Sequence, residues 1–203
     1  MESDRKLNIS ATLPSEVQDD IEAALKVLKK GGLILYPTDT VWGIGCDATN
    51  SKAVEKVYSL KKRNEAKALI TLVGNLNMLE NTVAGIPEVA YELIEYSDKP
   101  LTIIYDCGIG VASNLLAEDG SLAVRLTNEL FSATLCKKFG KPIVSTSANI
   151  SGMPTPANFK DISEEIIKGV DYVCTTGRGD LTCHKSSTIM RLKQTGEFKI
   201  IRP

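Results

Sequence analysis

Apolar and polar positions alternate between two periods along the chain, and that alternation predicts the architecture. From Ser15 to Lys30 apolar residues fall at Val17, Ile21, Ala24, Leu25 and Leu28, the spacing of one helix face. Ser15 with Gln18 three positions on reads as a capping box, and Gly31-Gly32 supplies a left-handed stop. LILY at 33–36 reads as a buried strand that ends at Pro37, because proline has no N–H for a sheet ladder. The stretch from there to about Asn50 reads as a loop. A second helix is predicted over 51–62, with Ala53, Val54, Val57 and Leu60 on one side, and a second strand over 68–74.

The later chain continues the alternation. A helix is predicted over 87–96, strands at LTIIYD and LAVRL, and a helix from Asn128 to Phe139 closed by Gly140, followed by the strand PIVS. Beyond the Gly- and Pro-bearing segment SANISGMPTPAN come a short helix over 162–168 and strands at DYVCT, STIMRL and FKIIR. This order predicts a layered α/β domain, and the adjacent late strands predict a mixed sheet rather than a purely parallel one. No internal repeat, low-complexity tract or linker divides the chain, so one domain is expected over 1–203, with its core from about residue 15 and a polar extension over 1–14.

Composition narrows the function classes. The 203 residues are 43% hydrophobic and 24% charged, ordinary for a globular domain and too apolar for a disordered one. Basic and acidic residues number 24 and 25, so no global field draws the protein onto nucleic acid or an anionic membrane. Binding of that kind has to be local. The apolar runs fall far short of the roughly 20 residues of a spanning helix, and the start MESDRKLNIS lacks the apolar stretch of a secretory signal. Five scattered cysteines without a C-x-x-C pair, beside a single histidine, argue against a zinc site or a disulfide framework. A reduced, cytoplasmic setting with no membrane association is expected.

Three polar segments carry candidate chemistry. Pro37-Thr38-Asp39-Thr40-Val41-Trp42-Gly43-Ile44-Gly45 leaves a buried strand, where ligands gather in open α/β sheets; it reads equally as an Asp/Thr turn with a glycine bend. Lys61-Lys62-Arg63 closes the second helix and reads either as a solvated, exposed helix end or as a phosphate grip. The second option gains from Lys52, Lys56 and Lys67, a local density of cations in a neutral chain. Ser145 to Gly152, STSANISG, follows another strand and suits a phosphate or carboxylate better than a metal, unless it is an ordinary serine turn. Walker, G-x-G-x-x-G, G-x-S-x-G and H-E-x-x-H signatures are absent. His184 sits in a loop with no evident partner, and Cys46 has nothing beside it to lower its pKa, so neither receives a role.

In order, PTDTVWGIGCDA, Lys61-x-Arg63, KPLTIIY, AVRL with Arg125, STSANISGMPTP, Ser187-Thr188 and the terminal IIRP resemble the YrdC-like family over nearly the whole chain. The resemblance implies a twisted open mixed α/β sheet flanked by helices, YrdC/RibB-like, with a deep concave face. The length resembles the short form, without the C-terminal domain of longer relatives. The implied activity is L-threonylcarbamoyladenylate synthesis from L-threonine, bicarbonate and ATP with Mg²⁺, a nucleotidyl transfer that releases pyrophosphate and serves tRNA threonylcarbamoyladenosine modification. Lys61, Arg63, Arg125, Ser147, Asn149 and Arg202 are then expected to hold ATP and its phosphates. Thr38, Thr40, Thr102, Thr127 and Ser187 are expected to face threonine or the carbamate. No covalent nucleophile is required, because such transfers run on positioning and charge neutralisation.

The implied partners extend to tRNA or double-stranded RNA and to downstream tRNA-modification proteins. A noncatalytic RNA-binding module of the same fold, and a carbamoyl- or acyl-phosphate enzyme, are the competing readings. Two positions depart from the family pattern: Trp42 stands where tyrosine is common, and Asn64 where proline follows the basic pair.

Overall fold

The computed structural model describes residues 13–63, 69–182 and 184–203. The first helix, α1 (Ser15–Lys29), shows both where local signals hold and where they do not. Its stop forms as the glycines predict: Gly31 takes φ +72°, and the N–H groups of Gly31 and Gly32 return to the carbonyls of Leu28 and Val27 at 2.9 and 3.0 Å. Its start does not. Ser15 lies inside the first turn, the cap position falls on Pro14, and no side chain caps the helix, so the expected capping box is corrected. Gln18 instead donates from Nε2 to the carbonyl of Leu13 at 2.6 Å.

The remaining elements, in chain order, are β1 (Ile34–Tyr36), β2 (Gly43–Gly45), α2 (Ser51–Lys61), β3 (Ile70–Val73), α3 (Leu76–Glu80), α4 (Val89–Glu95), β4 (Leu101–Tyr105), β5 (Leu122–Leu126), α5 (Leu130–Phe139), β6 (Ile143–Ser147), α6 (Glu164–Gly169), β7 (Tyr172–Val173), β8 (Thr188–Leu192) and β9 (Phe198–Arg202). Among the described residues nine strands form one sheet in the order β7-β1-β2-β6-β3-β5-β4-β8-β9. Pairs β1–β7, β3–β5 and β4–β8 are parallel and the rest antiparallel, the mixed sheet that was expected.

Two elements escaped the sequence pattern. The stretch read as a loop through Asn50 contains β2, and α3 follows β3 directly. Strand β2 is GIG, and two glycines in three residues leave no apolar alternation to read. The glycines answer to crowding between β1 and β6: a Cβ on Gly45 would stand 2.7 Å from the Tyr36 ring and 3.0 Å from the Val144 carbonyl.

Register sorts the sheet into two faces. Cross-strand partners Tyr36↔Gly43, Gly43↔Ser147, Ile70↔Ser145, Leu72↔Arg125 and Thr102↔Ile189 share one face. The opposite face presents Leu35, Ile44, Val144, Val73 and Val124, all buried. Helices α1 and α5 pack against each other and against β1 and β3, closing the core with Ile21, Leu25, Leu28, Phe131 and Leu135. Each such side chain contributes roughly 1.5–3 kcal/mol of burial. The polar face is thereby left free to carry a site.

Candidate active site

A cleft of about 170 Å³ opens on that polar face. Strands β2, β3, β5, β6, β8 and β9 contribute Gly43, Ile70, Arg125, Ser145, Ser147, Ile189 and Arg202, and loops add Thr40, Arg63, Thr155, Ser186 and Ser187. Three guanidiniums and a ring of hydroxyls line it, and among the described residues no carboxylate does. Burial pulls the pKa of Arg63 and of Arg202 below the usual arginine value, and for Arg202 the neighbouring Arg125 charge adds to the effect. Arg125 and Arg202, which repel each other in a partly dry cleft, are stabilised by an anion, and guanidinium suits phosphate or carboxylate.

The Lys61-x-Arg63 pair does not act as one unit. Helix α2 ends at Lys61, and Lys62 adopts φ 51°, the only positive φ of a non-glycine among the described residues. The N–H of Arg63 closes the turn on the carbonyl of Tyr58 at 2.9 Å, so the two flanking side chains diverge. Arg63 enters the cleft. Lys61 is 1% exposed rather than a solvated helix end, and its Nζ donates to the carbonyls of Ser147 and Asn149 at 2.5 and 2.6 Å. Burial first, and Arg63 second, lower its pKa to about 8. Lys61 therefore staples the SAN loop from beneath and does not line the cleft.

The rest of that loop is equally well tied. Ser147 Oγ donates to Asn149 Oδ1 at 2.5 Å, and Asn149 Nδ2 donates to the carbonyls of Ile150 and Met153 at 3.1 and 2.7 Å. Ser147 faces the cleft, whereas Asn149 faces an adjoining groove of about 650 Å³ with Ala148, Ile150, Met153, Pro154 and Pro156. Thr155 borders both.

On the other side the PTDT loop turns on Thr38. Its Oγ1 donates to the carbonyl of Val41 at 2.8 Å, accepts from the N–H of Thr40 at 3.1 Å and lies 3.0 Å from Thr40 Oγ1. Thr40 lines the cleft; Thr38 lines a smaller pocket behind the loop, of about 40 Å³, together with Trp42, Asp180 and His184. Asp39 forms an ion pair with Arg125 at 3.0 Å. Trp42 is 8% exposed and meets Phe159 in a tilted contact, with ring centroids 4.9 Å apart and planes at 54°, while the Arg178 guanidinium lies 4.9 Å from the centroid of the Phe159 ring.

Arg63, Arg125, Ser147, Arg202, Thr40 and Ser187 all line this one cleft. Thr102 and Thr127 do not reach it, although Thr102 shares its face. Both are fully buried: Thr102 Oγ1 pairs with Ser187 Oγ at 2.8 Å beneath the cleft, and Thr127 Oγ1 with Ser132 Oγ at 2.9 Å at the start of α5. Of the neighbouring lysines, Lys56 turns away to the carbonyl of Gly31 at 3.0 Å. Asn64 and Lys67 lie outside the described residues. Burial pushes the Cys46 thiol pKa up, in keeping with its having no role. Sequence reasoning missed Thr155 and Ser186 as lining residues, and Asp39 as the partner of Arg125. Their neighbours Thr40 and Ser187 were legible, but no local signal marks which hydroxyl of a run faces inward.

Fold and site together define an α/β protein with an arginine-lined cleft on the polar face of its sheet. The model of the Sua5/YciO/YrdC family, described as telomere recombination, matches residues 26–203. The chain belongs to the Sua5/YciO/YrdC family. It is 34% identical to the threonylcarbamoyl-AMP synthase of Pseudoalteromonas translucida over 158 residues, covering 76% of this chain and 84% of the relative. With the synthase of Chromohalobacter salexigens it shares 36% identity over 148 residues, 72% and 80% of the two chains. The crystal structure of P. abyssi Sua5 complexed with L-threonine superposes with a TM-score of 0.79 at 25% identity, over 90% of this chain and 53% of that one. The chain thus spans about half the length of that Sua5 protein. Among the described residues no helix is long and apolar enough to cross a membrane.

Proposed function

We propose that the protein is a threonylcarbamoyl-AMP synthase, joining L-threonine, bicarbonate and ATP into threonylcarbamoyl-AMP with release of pyrophosphate and water. The observation that carries this reading is the convergence of Arg63, Arg125 and Arg202 in one cleft on the family's fold. The relatives' name and the L-threonine of the Sua5 complex supply the substrate class. Threonine's amine first forms a carbamate with bicarbonate. A carbamate oxygen then attacks the α-phosphorus, and the bond to pyrophosphate breaks.

In this reading the three arginines neutralise the triphosphate and the departing pyrophosphate, while Ser147 and its neighbouring hydroxyls orient the phosphate oxygens. The adjoining apolar groove receives the base. Thr40 and Ser187 face the threonine side, with Thr38 and Thr102 holding them in place. Lys61 and Asn149 act by shaping the loop rather than by touching phosphate. The lining residues offer hydroxyls and guanidiniums, so Mg²⁺ enters bound to the ATP phosphates, as part of the substrate. The product is a mixed anhydride, an activated donor fit for transfer to tRNA through downstream modification proteins.

Incubating the protein with labelled bicarbonate, L-threonine and MgATP should yield threonylcarbamoyl-AMP and pyrophosphate in equal amounts. ATP turnover that ignores threonine, or RNA binding without ATP consumption, would sink the reading.

A further inference from the structure

Arg125 lies on β5, while Asp39 belongs to the connection between β1 and β2, with β6 and β3 intervening in the sheet. Three strand spacings amount to roughly 14 Å, so the Asp39 loop leans across the polar face to reach its partner. Among the described residues no other hydrogen bond or ion pair ties residues 38–40 to that part of the sheet: the hydroxyl bonds of Thr38 and Thr40 stay within the loop. The pair is also well enclosed, with side-chain exposures of 3% for Arg125 and 15% for Asp39. Arg125 keeps spare donors, since its buried Nε has no hydrogen-bond partner while the guanidinium borders the cleft. One carboxylate therefore shares a guanidinium with whatever anion the cleft receives. Burial raises the Asp39 pKa and the Arg125 charge opposes that rise, as expected of an enclosed carboxylate that depends on one cation.

Resting on the synthase reading for the identity of the two ligands, we propose that Asp39 is a positioning residue with two opposed effects: it clasps the threonine-facing loop to Arg125, and its charge weakens the hold of Arg125 on phosphate. The clasp sets where Thr40 stands, because Thr40 follows Asp39 directly and is 3% exposed in the cleft wall. The same negative charge, one guanidinium away from the bound anion, subtracts from the attraction of the three arginines. A residue that only supported the fold would move both ligands in one direction. A clasp that is also a counter-charge moves them in opposite directions.

The test is calorimetric binding of pyrophosphate and of L-threonine to the intact chain, its Asp39→Ala variant and its Asp39→Asn variant, with thermal melting of each. Asp39→Ala removes tether and charge: pyrophosphate should bind about threefold to tenfold tighter, and L-threonine about tenfold weaker. Asp39→Asn keeps an oxygen for Arg125 but no charge, so threonine binding should largely recover while pyrophosphate stays tightened. Emission of Trp42, the single tryptophan, should shift in Asp39→Ala and return in Asp39→Asn. If Asp39→Ala fails to fold, the Asn variant decides on pyrophosphate alone. Unchanged pyrophosphate affinity, or weakening of both ligands together, overturns the proposal. Synthase turnover of the wild type is measured in parallel; its absence sinks the proposed function, while the pyrophosphate result still decides the counter-charge of Asp39.

Discussion

The loop after β6 is held from beneath by Lys61, a buried cation bound to two carbonyl oxygens, whereas the loop after β1 is held across the sheet by Asp39, a carboxylate bound to a cation of the cleft itself. The first arrangement brings no counter-charge to Lys61 among the described residues, because carbonyls are dipoles. The second cancels part of Arg125. Facing loops of one cleft are thus fastened by opposite electrostatic means, and the difference suits a site that takes a polyanion on one side and a zwitterionic amino acid on the other. It also teaches that a motif cation can serve geometry first: Lys61 of the Lys-x-Arg pair shapes the loop that its neighbour Arg63 serves alongside.

The comparison breaks most sharply at Arg125. Replacing Arg125 by Met should lower stability by about 3 kcal/mol, because it strands Asp39 in an enclosed site. Urea unfolding measures this, and adding Asp39→Ala to the same chain should return a large part of the loss. A single-mutant loss no greater than that of a surface residue would show that the pair does not hold the loop.

Next comes the Lys61→Met variant, which removes two charge-assisted hydrogen bonds and should cost about 2–3 kcal/mol, measured the same way near pH 7. The pH dependence sharpens it. The folded-state pKa of Lys61 lies near 8 against an ordinary 10.5, so between these values the unfolded chain binds more protons than the folded one. The stability advantage of wild type over Lys61→Met should therefore widen as pH rises from about 8 toward 10.5. A flat or shrinking difference would mean that the ammonium carries no burial penalty.

The smallest effect belongs to Lys62→Gly. Lys62 is held at φ 51°, a conformation that glycine adopts without strain, and its ion pair to Glu165 at 2.7 Å is exposed at both ends. Unfolding of the variant should show a gain of about 0.5 kcal/mol with Arg63 still in the cleft, read as unchanged pyrophosphate affinity. A loss of stability would show that the turn depends on the lysine side chain.

Periodicity alone revealed α1, α2 and α5 and most strands, because amphipathic spacing is a local property that burial later rewards. It could not reveal β2, whose glycines make sense only with the Tyr36 ring and the Val144 carbonyl closing on either side. The family resemblance carried by the ordered motifs likewise implied one site holding Lys61, Arg63, Arg125, Ser147, Asn149 and Arg202 on its phosphate side and Thr38, Thr40, Thr102, Thr127 and Ser187 on its threonine side. Which way each side chain points was another matter. Thr102 meets Ser187 from 85 positions away and Lys61 meets Ser147 from 86, and no window of sequence contains both partners. The chain by itself determined its layered α/β class, its polar loops and the cations among them. Only the tertiary structure decided that Lys61 staples while Arg63 reaches, that Thr102 and Thr127 are buried, and that Asp39 claims Arg125. Those outcomes depend on packing between distant strands, where the desolvation of each polar group selects its partner.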